Sequence, residues 1–469
     1  MDTQTKKKYN YWQWRTLIAL MIGYICYYFL RKNFSAAIPA MESELGLSKV
    51  QLGTFLTLNG VVYGLSRMVN GVLADRGSKR KLMTLGLLLS CGINLLICFS
   101  PKFNGFLHLL DNEGKATVGL VYLIGSLWVL NGYVHGMGYP PCAALMAQWF
   151  RPSELATKQS IWNASHSIGA GIVIALCGWL LSKYGYSAWN LCFIVPAAIA
   201  FIGAIALYIS LRDTPSSVGL PEIEELEKES KGEIIENEPQ NKNSKTSLSG
   251  PQYKKFLKEM VFRNPIIWLI CIADFCIYVI RFTILEWGTS FLTQYKGFDI
   301  GLSANIVAAS ELIGGVLGTI AAGWFTDKYM QSKTLRTCMI CTLGATLCFG
   351  LFWRVPQSAH WIWSAILIVM SAFFVYGPQA LLGVSCSQYA TKHASGSANG
   401  LCGIFCYAAT IISGIGFAFL ADKPQLGWNA VFIVAIAFGI IGTILLALLW
   451  KAPANGYEKA EKIIQQIGE

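Results

Sequence analysis

The stretch Tyr24-Ile25-Cys26-Tyr27-Tyr28-Phe29-Leu30-Arg31 places a guanidinium within an otherwise apolar run. An arginine at the centre of a membrane helix costs roughly 2.5–3.5 kcal/mol on insertion scales, so it needs a partner, a wet cavity or an anionic ligand. Tyr24, Tyr28 and Arg31 stand at i, i+4 and i+7, which is one side of a helix. The pattern recurs 250 residues later in Asp274-Phe275-Cys276-Ile277-Tyr278-Val279-Ile280-Arg281, with Asp274, Tyr278 and Arg281 in the three places. Both end in Tyr-x-x-Arg. Two intramembrane arginines related by a repeat predict one central site for a dianion.

The surrounding chain supports a membrane setting. Of 469 residues, 54% are hydrophobic and 13% charged, which suits a polytopic membrane protein better than a soluble domain. Twelve apolar stretches are long enough to span, near 13–37, 51–74, 82–101, 117–148, 159–182, 187–211, 265–294, 302–325, 335–354, 361–386, 396–421 and 428–450. Lysine and arginine alternate between the loops. Lys6, Lys7 and Lys8 precede the first stretch, Arg76, Lys79, Arg80 and Lys81 follow the second, Arg151 and Lys158 the fourth, and Lys328, Lys333 and Arg336 the eighth. The intervening loops are poorer, with Lys49, Lys183, Lys296 and Lys423 scattered singly, so both termini are expected in the cytoplasm. The basic amino end continues into an apolar run of more than twenty residues without a small-residue cleavage site, and reads as a retained first helix rather than a signal peptide. The same loop rule absorbs much of the net charge of +11 and leaves no basic face for nucleic acid.

Two other compositional features are set aside. The fourteen cysteines lie mostly inside apolar stretches, and Cys338-Met-Ile-Cys341 has no nearby His or Cys partner outside its own helix, so they read as small buried hydrophobes and no metal or cofactor is expected. The five histidines, His108, His135, His166, His360 and His393, show no metal spacing, and no nucleophile–base constellation argues for an enzyme. Between residues 213 and 262 the composition turns charged, first with Glu222, Glu224, Glu225, Glu227, Glu229, Glu233, Glu236 and Glu238, then with Lys242, Lys245, Lys254, Lys255 and Lys258. This reads as a solvated tether. The expected domains are therefore 1–212 and 263–469, each a six-helix bundle, joined by the linker 213–262.

The halves correspond beyond the arginines. Asp75 in Gly71-Val-Leu-Ala-Asp-Arg and Asp327 in Gly323-Trp-Phe-Thr-Asp-Lys are 252 residues apart, close to the 250 that separates Arg31 from Arg281. Six plus six helices in parallel repeat is the plan of the major facilitator superfamily, whose site lies between the halves near the bilayer midplane. Gly71-Val-Leu-Ala-Asp-Arg-Gly-Ser-Lys-Arg80 resembles that superfamily's loop signature after helix 2. Glycine permits close helix approach, while Asp75, Arg76 and Arg80, with Asp327 in the second half, are expected to form a breakable latch.

Further polar residues within the spans are candidates for the site. Arg67 follows Tyr63 by one turn and supplies a third cation. Asn163 and His166 share a face of Ile161-Trp-Asn-Ala-Ser-His-Ser-Ile-Gly169, whose small residues suit close packing. Glu286 and Glu311 are expected as partners of the arginines or as gating groups. Tyr376 and Tyr407 are candidate hydroxyl donors. Gly138-Tyr-Pro140-Pro141 and Gly377-Pro378 are expected to loosen or kink helices 4 and 10.

At these residues the chain resembles the organophosphate:phosphate antiporters, almost end to end. The resemblance rests on Tyr27-Tyr-Phe-Leu-Arg31-Lys-Asn-Phe, Gly136-Met-Gly-Tyr-Pro-Pro-Cys142, Trp162-Asn-Ala-Ser-His166, Arg212-Asp-Thr-Pro-Ser-Ser-Val-Gly-Leu-Pro221, Tyr278-Val-Ile-Arg281 with Glu286-Trp-Gly, and Tyr376-Gly-Pro. It implies that Arg31 and Arg281 bind phosphate, that His166 is the helix-5 histidine, and that Arg67 stands where members commonly have lysine. Asp274 departs from the pattern, and three roles are open to it: neutralising Arg281, binding sugar hydroxyls or carrying a proton. The resemblance implies a bacterial inner-membrane antiporter, functional as a monomer, that exchanges a phosphorylated sugar or polyol for inorganic phosphate. Asn264-Pro, Glu286-Trp-Gly and Phe374-Val-Tyr-Gly-Pro-Gln incline the substrate to hexose-6-phosphate, with glycerol-3-phosphate next. A membrane sensor of external sugar phosphate and a proton-coupled carrier of organic anions are the alternatives.

Overall fold

Local signals in the sequence start several of the helices. Ser48 and Gln51 cap each other's backbone N–H groups and open α2 (Lys49–Arg76), and Ser78 caps α3 (Lys79–Phe99). Before them, α1 (Thr3–Leu45) is 43 residues long, about 65 Å at 1.5 Å per residue, so it is longer than any bilayer is thick. The computed structural model describes residues 3–103, 109–111, 113–150, 152–221, 250–331, 333–423, 427–453 and 456–468. The first half continues with α4 (Val118–His135), α5 (Tyr139–Trp149), α6 (Pro152–Tyr184) and α7 (Leu191–Ser210). As expected of Gly138-Tyr-Pro140-Pro141, the chain leaves the helix at residues 136–138 and restarts with proline in the first turn of α5, where a missing N–H costs nothing.

The second half opens with the short α8 (Gly250–Leu257) and then α9 (Pro265–Gln294), capped by Asn264 with Pro265 behind it. Asp299 caps α10 (Ile300–Ala309), which passes through a π-helical turn, Ser310–Gly315, into α11 (Val316–Tyr329). Then come α12 (Thr334–Arg354), α13 (Trp361–Thr410), α14 (Phe417–Asp422), α15 (Gly427–Leu448) and α16 (Tyr457–Gly468). The backbone stays helical through Gly377-Pro378, and the non-helical residue of α13 is Thr391, with φ 59° and ψ 176°, where two helices, the spans Trp361–Thr391 and Ser397–Asp422, join. Gly377 lies so close to Ala322 that an added Cβ would come within 2.6 Å of the Ala322 methyl.

Among the described residues, ten helical spans are long and apolar enough to cross a membrane. They answer to ten of the twelve expected stretches. The first two, within α1 and α2, fall outside that set because tyrosine, asparagine and arginine dilute their apolar runs. Aliphatic side chains such as Ile202, Ile320 and Leu448 are exposed along the spans, as lipid contact requires.

By contact the chain divides into two units, Met1–Gln51 with Leu58–Pro239, and Leu52–Thr57 with Gln240–Glu469. The acidic stretch of the expected linker lies outside the described residues, but its described ends are not a solvated tether. Leu220, Phe256, Met260 and Val261 are buried. Apolar side chains spaced between the charges anchor each end to its own unit, a pattern that a charge count overlooks.

Candidate anion-binding site

In the first unit, Arg31 is carried on α1 and its guanidinium lies 3.9 Å from the ring centre of Tyr63 and 5.8 Å from that of Tyr28. Arg67, one turn beyond Tyr63 on α2, lies 5.8 Å from the same Tyr63 ring and 4.1 Å from Tyr139. One tyrosine thus serves two cations, and its ring stabilises each by its quadrupole without neutralising either. Tyr24 packs against Tyr28 at 5.4 Å and Trp162 at 4.6 Å, and Tyr28 lies 5.6 Å from the His166 ring. Close approach of α6 to α1 makes the last contact possible. A Cβ on Gly169 would stand 2.9 Å from the carbonyl oxygen of Ile25 and from Tyr28 Cβ. His166 is buried, its Nδ1 donating to the Asn163 carbonyl and its Nε2 accepting from Ser167 Oγ at 3.4 Å.

What orients this face is a polar network behind it. Tyr27 OH donates to the Met83 carbonyl at 2.7 Å, and Asn33 Nδ2 donates to Asn94 Oδ1 at 2.9 Å and the Cys192 carbonyl at 3.0 Å. Asn131 Nδ2 donates to the Leu30 carbonyl at 2.9 Å, next to Arg31, while its Oδ1 accepts from Ser90 Oγ at 2.6 Å. Ser90 Oγ in turn accepts from His135 Nε2 at 3.0 Å. Sequence reading missed this set, although Ser90 with Asn94, and Asn131 with His135, show the i, i+4 spacing of polar groups in apolar helices.

Arg281 belongs to α9 in the second unit and is buried. Its guanidinium lies 5.0 Å from the ring centre of Tyr376, 5.4 Å from Tyr278 and 5.6 Å from Phe282. Tyr376 OH donates to Glu311 Oε1, and Glu311 is 1% exposed. Small residues bring these two together. Gly314, Gly318 and Ala322 recur every fourth residue, and Cβ atoms on the two glycines would meet the backbone carbonyl oxygens of Val369 and Phe373 at 2.7 and 2.1 Å. Glu286 is buried on α9, and Tyr407 is half-buried on α13. Asp274 Oδ2 accepts from the thiols of Cys402 at 3.1 Å and Cys406 at 2.8 Å.

The loop residues are placed as follows. The side chains of Asp75 and Arg76 lie outside the described residues. Arg80 stacks its guanidinium 4.5 Å from the Tyr208 ring centre, and its backbone N–H donates to Asp213 Oδ1 at 2.8 Å. Ser78 Oγ donates to the other oxygen of Asp213 at 2.5 Å. Asp213, within the Arg212-Asp-Thr-Pro motif, is thus a further missed residue that ties the end of α7 to the start of α3. Asp327 is exposed at the last turn of α11.

The arginine-bearing helices, the small-residue contacts and the loop after α2 can be set beside known proteins. Residues 20–415 match the Major Facilitator Superfamily. The chain belongs to this superfamily. It is 32% identical over 467 residues to the glycerol-3-phosphate transporter of Bacillus subtilis, covering 98% of this chain and 97% of that protein. It is 30% identical to a probable hexose phosphate transport protein of Chlamydia pneumoniae, over 95% of this chain and 93% of the relative. It is also 30% identical to the membrane sensor protein UhpC of Escherichia coli, over 94% and 93%. Among solved structures, that of a D-xylose–proton symporter aligns with a TM-score of 0.68 at 12% identity over 92% of this chain and 97% of that one, a likeness of fold. As a member of this superfamily with bacterial relatives, the chain is a multi-pass protein of the bacterial inner membrane and not an enzyme.

Proposed function

We propose that the protein is an antiporter that exchanges a phosphorylated sugar or polyol for inorganic phosphate by rocker-switch alternating access. The observation that carries this reading is the pair Arg31 and Arg281, each set among tyrosines on corresponding helices of the two units. A phosphate monoester is close to a dianion at neutral pH, and guanidinium groups bind its oxygens through charge-assisted, bidentate hydrogen bonds. Charge balance then makes exchange obligatory. An empty site would carry its cations through an occluded, low-dielectric state, whereas either phosphate or its ester cancels them. The hydroxyls of Tyr28 and Tyr278 supply donors for the remainder of the ester, with His166 packed beside Tyr28. The reading includes twelve spans, cytoplasmic termini, a latch formed by the loops that hold Asp75 and Asp327, and a carrier active as a monomer. Hexose-6-phosphate remains the first substrate to test, although similarity to the Bacillus glycerol-3-phosphate transporter is as high as to the chlamydial hexose phosphate proteins.

The test is uptake of labelled glucose-6-phosphate and glycerol-3-phosphate into proteoliposomes loaded with inorganic phosphate. Uptake of one ester that depends on internal phosphate and is lost in Arg31→Ala and in Arg281→Ala supports the antiporter, whereas exchange that survives either change overturns it. Similarity to the sensor UhpC motivates a second reading, a receptor for the same ester, which predicts tight binding with little flux.

A further inference from the structure

A second cluster of chemistry-bearing side chains lies within the C-terminal unit, away from any phosphate contact assigned above. Cys271 and Asp274 are one turn apart on α9, Cys386 precedes the break of α13 at Thr391, and Cys402 and Cys406 follow it. All five are buried. The sulfurs of Cys271, Cys386 and Cys402 lie within 4.8 Å of one another, as do the sulfurs of Cys402 and Cys406 and a carboxylate oxygen of Asp274. Cys402 belongs to both groups. Asp274 is 2% exposed and its Oδ1 accepts no hydrogen bond, a costly state for a buried carboxylate and one that a bound cation relieves.

We propose that this cluster is a binding site for one thiophilic metal ion of the Zn²⁺ or Cd²⁺ type. Cys271, Cys386 and Cys402 are the sulfur ligands and Asp274 is the nearest oxygen donor. Three sulfurs with one carboxylate select such ions over Mg²⁺ or Ca²⁺, which take oxygen ligands. A tetrahedral Zn²⁺ with Zn–S near 2.3 Å holds its sulfurs about 3.8 Å apart, so the triad closes by about 1 Å at most. Binding forms three metal–sulfur bonds and releases the three thiol protons, leaving the ion, its thiolates and the Asp274 carboxylate with two net negative charges. Arg281, two turns along α9 at about 10 Å, offsets one of them. The bound ion ties α9 to both of the helices that join at Thr391, through Cys386 on one and Cys402 on the other. This proposal does not depend on which substrate is carried or on whether the protein transports or senses.

The experiment uses the reduced, detergent-purified full chain titrated with Cd²⁺ alone, read by sulfur-to-metal charge-transfer absorption in the ultraviolet and by the thermal midpoint. The expected result is a band that saturates at one equivalent, is displaced by Zn²⁺ and accompanies a raised midpoint. Cys402→Ser should lose both signals, and Cys386→Ala, which keeps a small apolar side chain, guards against a folding failure of the first variant. Cys348→Ser, at a half-buried thiol outside the cluster, should keep both. Absence of the band in wild type, or a band that survives Cys402→Ser and Cys386→Ala but is lost in Cys348→Ser, overturns the site.

Discussion

The two arginine faces derive from one motif and sit in unlike company. Around Arg31 the neighbours are aromatic rings, with His166 beyond Tyr28 and an amide and hydroxyl network at the back of α1. Around Arg281 the aromatic shell is kept, but its Tyr376 hydroxyl donates to a buried carboxylate, Glu311, and a second acid, Asp274, lies two turns away. Both halves keep the cation and the tyrosine before it, as the proposed dianion site requires. The environments have diverged so that the first face positions its cation through neutral groups while the second holds groups able to carry a negative charge or a proton.

This contrast can be broken or sharpened by experiment. The largest effect is expected for Arg31→Ala and Arg281→Ala, each lowering phosphate exchange at least about 100-fold, since loss of a charge-assisted partner is worth about 3 kcal/mol or more. A defect confined to one variant would show that the faces are not functional equivalents. Next comes packing. Gly318→Ala drives a methyl against the Phe373 carbonyl, and Gly136→Ala drives one against Ser66 Oγ. Each should destabilise its own unit by about 1–3 kcal/mol, read as a lower thermal midpoint in detergent.

Tyr376→Phe keeps the ring near Arg281 but removes the hydroxyl that donates to Glu311. About tenfold loss of exchange is expected, in line with a hydrogen bond to a charged group. Tyr63→Phe in the first unit should change exchange less than about threefold, because phenylalanine keeps the ring face that meets Arg31 and Arg67. Equal losses in the two tyrosine variants would refute the proposed asymmetry. The smallest effect is expected for Arg67→Lys, which retains the charge and weakens stacking on Tyr139, for a change of about threefold or less in the concentration of ester that half-saturates uptake.

Much of the architecture was legible in the chain because it follows from solvation. Ten of the twelve apolar stretches reappear as spans, and the break before Pro140 follows from the missing N–H. The site was legible in part. Tyr28 lies beside His166, Tyr63 beside Arg67 and Tyr376 beside Arg281, while the thiols that meet Asp274 come from a helix distant in sequence, which no local spacing reveals. At Gly377-Pro378 the backbone stays helical and packs closely on Ala322, and the departure at Thr391 marks the junction of two spans.

By itself, the sequence determined that this is a duplicated membrane protein with arginines at repeat-related positions. The cost of desolvating a guanidinium and the apolar length needed to cross a bilayer belong to residue type and spacing, which any reader of the chain can see. Only the tertiary structure decided which groups surround each arginine, that Asn131 reaches the Leu30 carbonyl, and that Asp274 meets Cys402 and Cys406 more than 120 residues further on. Those contacts depend on the register and rotation of one helix against another, and these are set by packing at glycines such as Gly169 and Gly318, not by any property of the contacting residues themselves.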